Sequence, residues 1–168
     1  MKMDGAINMK LIMDSNLRKP FESFLFKNRF LPLEPDNHSW ESIQITHYRK
    51  KPDNKDIAEF RNHIKKQLQY GGVYAYLNMR KKLLYFGKAK NIYTRVYSHY
   101  KEAYITQDGD HLGAWDIFFY RNAGKLILLW RKVKSNRQRI AIEEMIEDVV
   151  VSKFDKKHPR GKRKVGAT

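Results

Sequence analysis

The stretch Gly72–Tyr100, GVYAYLNMRKKLLYFGKAKNIYTRVYSHY, decides the fold. Val73–Leu77 and Leu83–Gly87 are short runs of aromatic and aliphatic residues. The polar turn Asn78–Lys82 separates them, which predicts two antiparallel strands joined as a hairpin. Gly87 then opens a helix over about Asn91–Glu102, with Ile92, Val96 and Tyr100 on its buried stripe. Arg95 and His99 are four positions apart and share a different face of that helix. Strands and helices alternating in this way predict an α/β (α+β) fold, with a small, mainly antiparallel central sheet flanked by helices.

Downstream, a loop over Thr106–Gly113 leads to Asp116–Arg121 and Lys125–Val133, read as two further strands around the turn Asn122–Gly124. A last helix is expected from about Asn136 to Phe154, followed by the tail KKHPRGKRKVGAT. Upstream, residues 1–18 read as a weakly ordered lead, and Phe21–Leu33 as a short helix or packed loop. Ser42–Tyr48 reads as a strand. A helix follows over 55–69, with Ile57, Phe60, Ile64 and Leu68 at spacings of three and four and Asp53 or Asn54 as its N-cap. The expected organisation is an N-terminal extension (1–69), a central domain (70–160) and a basic tail (155–168). Substrate selection or dimerisation falls to the extension, through its helix and exposed aromatics such as Trp40 and Tyr48.

The chain has 168 residues with 34 Lys and Arg against 18 Asp and Glu, a formal charge of +16. With 42% hydrophobic residues it can still bury a core, so the charge marks a folded basic protein rather than a disordered one. Such an excess of cations favours a polyanionic partner, because each cation that meets a phosphate releases a condensed counterion. No apolar run approaches the ~18 residues that cross a bilayer, and the N-terminus lacks the apolar core of a secretory signal, so no membrane partner is expected. With no cysteine there is no disulfide, thiolate metal site or cysteine nucleophile, which fits a cytoplasmic location. Residues 153–164 carry seven Lys or Arg against Asp155 alone, a run suited to sequence-independent contact with a phosphate backbone.

GVY at Gly72–Tyr74 and YFG at Tyr85–Gly87, ten residues apart, resemble the signature of the GIY-YIG nuclease family. Tyr85–Tyr100 is similar over most of its length to the incision domain of the bacterial nucleotide-excision-repair nuclease. The family places an Arg ten residues after the second motif's Tyr, where Arg95 stands, and some members add a His four residues on, where His99 stands. The resemblance covers about residues 70–160 and implies a metal-dependent endonuclease acting on DNA. Phosphodiester hydrolysis needs a base for water and stabilisation of negative charge on the phosphorus centre. The resemblance assigns the base to Tyr74 or Tyr85, with a hydroxyl pKa lowered from ~10 by a nearby cation or metal-bound water. Arg95 becomes the planar clamp on the scissile phosphate. His99 would hold or share a proton. Gly87, Lys88, Lys90 and Arg160 would meet the substrate.

The family also uses one late-helix Glu to hold a single Mg²⁺ or Mn²⁺ ion. Its Leu-Glu-x-x-Leu-Ile-x-Lys-Tyr pattern matches Ile146-Glu147-x-x-Val150-Val151-x-Lys153-Phe154, which points to Glu147, with Glu143 as the alternative. Pro159 comes later than in the pattern and the Asn that often follows is missing, which leaves Arg160 or another residue to make that contact. The chain has no room for the repair nuclease's second catalytic half and helix-hairpin-helix modules. The expectation is therefore a stand-alone endonuclease of restriction, homing, mobile-element or phage type. A non-catalytic nucleic-acid-binding protein on the same scaffold and an RNA-directed nuclease stay open as alternatives, as do monomer and homodimer.

Overall fold

The computed structural model describes residues 18–104 and 114–150. The lead before residue 18, the 106–113 loop and the basic tail with Arg160 lie outside the described residues. Helix α1 (residues 18–27) is followed by β1 (Glu41–His47), α2 (Asn54–Leu68), β2 (Gly72–Asn78), β3 (Leu83–Ala89) and α3 (Ile92–Glu102). Then come α4 (Ala114–Arg121), β4 (Gly124–Lys132) and α5 (Asn136–Val149). The strands form one antiparallel sheet in the order β1-β4-β2-β3, so the fold is α+β.

The first six residues of β2, Gly72–Leu77, are all buried, because helices cover both faces of the sheet there. Alternation sends Tyr74 and Tyr76, with Leu128 and Trp130 of β4, toward α2, α3 and α4. Val73, Ala75 and Leu77, with Ile127 and Leu129, face α1, the Phe30–Leu33 loop, Trp40 and α5. The β2–β3 hairpin turn is held by the Asn78 side chain, whose Oδ1 accepts from the backbone N–H of Arg80 (2.9 Å) and Lys82 (3.0 Å). Asp53 caps α2 by accepting from Asp56 N (2.8 Å), and Asn91 caps α3 by accepting from Thr94 N (3.1 Å).

Several expectations need correction. Asp116–Arg121 lies in helix α4, not in a strand: β1 and β2 occupy the two edges of β4, which leaves no pairing site beside it. β1 is part of the central sheet rather than of a segment packed on it, so the sheet crosses the expected boundary at 69 and 70. Trp40 is not exposed; its indole is 4% exposed and donates Nε1–H to the Phe30 carbonyl (3.2 Å). Helix α5 stops at Val149, short of Phe154, and Val150 is extended (φ −112°, ψ 129°). Three consecutive β-branched valines, Val149–Val151, lose side-chain freedom in a helix, which favours ending it there. The helical stripe joining Glu147 to Val150 is thereby interrupted.

Candidate active site

The paired strands β2 and β3 place Tyr74 directly opposite Gly87, and Tyr76 opposite Tyr85. Tyr85 and Gly87 are two apart, so both share the face of Tyr74. A methyl group at Gly87 would lie 2.6 Å from Tyr85 Oη and 2.9 Å from Tyr74 Cζ. The absence of a side chain here is what lets the two phenol rings converge. Gly87→Ala is therefore expected to lower stability by about 2 kcal/mol, a Tm drop of about 5 °C, and to push the two hydroxyls apart. An unchanged thermal unfolding curve would show that the rings move aside at no cost.

Helix α3 crosses this face and adds three groups. His99 is fully buried and stacks on Phe119 of α4 with ring centroids 4.1 Å apart. Its Nε2 lies 2.9 Å from Tyr74 Oη, and its Nδ1 lies 2.7 Å from Glu102 Oε2. An ionised carboxylate only accepts, so the imidazole proton sits on Nδ1 and Nε2 accepts from the Tyr74 hydroxyl. Glu102 also accepts from Ser98 Oγ (3.1 Å). Burial works against the Glu102 charge, but the bonds to His99 and Ser98 and the nearby Arg95 outweigh it, and its pKa is lowered. Half-buried Arg95 interacts with the hydroxyls of Tyr74 and Tyr85 and with Glu102. Burial opposes its charge, yet these partners raise its pKa above the ordinary range.

The expectation of a depressed tyrosine pKa does not hold for Tyr74. Burial is the main cause of a strong upward shift, Tyr85 and Tyr76 add to it, and Arg95 pulls the other way without prevailing. Tyr76 is raised in the same manner.

The remaining expected residues lie elsewhere. Lys88 points to the opposite face of β3, with its pairing partner Val73, and its ammonium contacts the carboxylate of buried Glu143 on α5. Glu147 lies one turn further along α5 and is half-buried. Lys90 is exposed in the turn before α3. The structure thus gathers Tyr74, Tyr85, Arg95 and His99 on one face and Lys88 with Glu143 on the other, with edge strand β3 between them. Among the described residues no group of three or more His, Cys, Asp or Glu is placed to hold a metal ion. Glu102 was missed in the sequence, although its position three residues after His99 on a helix is a legible sign of contact.

Two cavities of about 430 and 420 Å³ among the described residues are lined by neither Tyr74 nor Tyr85, one beside α2 and β1 and one beside α1 and α5. Among the described residues no helix is long and apolar enough to cross a membrane. The chain matches no family model, no curated protein and no solved structure.

Proposed function

We propose that the protein is a metal-dependent DNA endonuclease of the GIY-YIG type, acting in the cytoplasm. The observation that carries this reading is the convergence of Tyr74, Tyr85, Arg95 and His99 over Gly87, from two strands and one helix. Arg95 offers a fixed fork to a phosphate, and its charge balances what develops on phosphorus. Glu102 fixes the His99 tautomer, so His99 can take the Tyr74 proton as that hydroxyl draws one from water. The raised Tyr74 pKa makes this internal acceptor necessary, since the hydroxyl does not ionise by itself near neutral pH.

For the metal, a magnesium-type ion keeps several waters and uses one or two carboxylates plus phosphate oxygens, so a single protein acid fits. Glu147 and Glu143 are the candidate ligands; at Glu143 the ion would take the place of the Lys88 ammonium, which pairs with that carboxylate in this structure. When bound, such an ion neutralises phosphate charge and polarises water. A DNA backbone running along the free edge of β3 at Gly87–Lys88 meets both groups of residues.

Binding without cutting is the second reading, favoured by the low exposure of Tyr74 (0%) and Tyr85 (3%). Incubation with supercoiled plasmid and branched DNA separates the two. The nuclease reading expects nicked or linear product with Mg²⁺ or Mn²⁺ and none after chelation. It also expects either Glu147→Gln or Glu143→Gln to lose at least about a hundredfold in rate with DNA binding retained. Folded protein that binds these DNAs and leaves them intact with either ion would move the conclusion to the second reading.

A further inference from the structure

On the sheet face away from the tyrosines, a groove of about 420 Å³ runs between α1, the end of β4 and the start of α5. Phe30, Val133 and Ile142 form its buried apolar floor. Phe24 stands in its wall with 44% of its surface exposed, a large ring left facing water. Arg131 and Lys134 line the same groove, and among the described residues no carboxylate does; Lys132 borders it too, but its ammonium lies 5.2 Å over the Tyr70 ring.

These cations are carried on fixed backbone. Arg131 lies 4.0 Å over the Phe30 ring and donates Nη1 to the carbonyls of Asn28 (2.9 Å) and Arg29 (3.1 Å). Buried Arg139 donates Nη1 to the carbonyls of Val133 and Lys134, each at 2.8 Å, and Nη2 to Asn136 Oδ1 at 3.3 Å. The turn that presents Lys134 between β4 and α5 is thus held from beneath.

We propose that this groove binds an unpaired strand of nucleic acid, with phosphates along Arg131 and Lys134 and a base stacked on Phe24. A duplex shows a surface mainly phosphates and has no use for an apolar floor, whereas an unpaired strand offers both phosphates and aromatic faces. The inference rests on the nucleic-acid reading above and narrows its substrate to DNA that has a single-stranded stretch.

Fluorescence anisotropy with a labelled oligothymidylate and a labelled hairpin duplex, over a series of salt concentrations, tests it. Phe24→Ala is expected to weaken single-strand binding about tenfold and duplex binding less than twofold, with Phe24→Trp close to wild type. Lys134→Glu is expected to weaken single-strand binding and reduce its log–log salt slope by about one. Equal losses on both DNAs, or no loss, overturn the proposal. So does binding of poly-glutamate that is equally sensitive to Phe24→Ala, which would mark the groove as a site for an acidic protein. A wild-type protein that binds neither DNA takes the nuclease reading down as well. Cleavage of DNA by wild type, with single-strand affinity untouched by Phe24→Ala, removes the groove proposal alone.

Discussion

Arg95→Ala is expected to lower DNA cleavage about a thousandfold while leaving the affinity for DNA within a few-fold of wild type. The guanidinium sits among the hydroxyls of Tyr74 and Tyr85 and the Glu102 carboxylate. Its removal takes away a cation that acts on both phenols. A positioned donor to a developing charge is worth about 10²–10³ in rate, and an arginine on a transferring phosphoryl group can be worth more. Affinity is carried by many surface cations in a chain of net charge +16, so loss of one costs little binding. Arg95→Lys should recover only a minor part of the rate, because an ammonium supplies charge without the planar pair of donors. The measurement is single-turnover cleavage beside equilibrium binding. A variant that cuts at the wild-type rate would remove Arg95 from the site, and with it the main support for the proposed chemistry.

The second large effect concerns acid stability and His47 on β1. Its ring is 1% exposed, boxed by Phe60, Tyr76, Tyr100 and Phe119 at centroid distances of 5.6–6.3 Å, and neither nitrogen has a hydrogen-bond partner among the described residues. Burial lowers its pKa to about 3, with the charge of His99 adding to the effect. In the unfolded chain the same imidazole takes a proton below about pH 6.5. Between these two values unfolding takes up a proton, so stability falls as the pH falls, by up to about 1.4 kcal/mol per pH unit. Glu102 acts in the same direction at lower pH: its depressed pKa contributes stability above about pH 4.3 that is lost as the carboxylate protonates. Thermal unfolding followed between pH 4.5 and 7 should show a steep acid limb in wild type and a shallower one in both His47→Phe and His47→Leu. The slope is the readout, since either replacement also changes packing. An identical slope in all three proteins would place the acid sensitivity elsewhere.

The hairpin and the helix after it were legible in the sequence because strand spacing and helical period are local properties. Tyr74, Gly87, Arg95 and His99 occupy the elements that their spacing assigned. Local pattern could not reveal what depends on neighbours distant in the chain. WDIFFY is apolar without clear alternation, and only the occupation of both β4 edges decides that it is helical. His99 lies off the single apolar stripe of its helix, yet α4 closes over that face as well and buries it. The end of α5 at Val149 and the Lys88 partner of Glu143 likewise depend on packing rather than on local pattern. The Tyr74 pKa reversed its expected direction because burial is a property of the assembled layers, not of the tripeptide.

The pairing of β1 with β4 also sets an order in time. Glu41 must find Trp130 and His47 must find Gly124, so the first of the four described strands to be made is paired with the last. The β2–β3 hairpin and α3 can assemble from adjacent chain, but closure of the sheet waits on a contact that spans most of the described sequence. Long-range pairings of this sort slow folding and leave an unpaired strand exposed meanwhile. During synthesis the tyrosine-bearing half of the sheet therefore begins as a nascent hairpin, and becomes a finished platform only when β4 arrives.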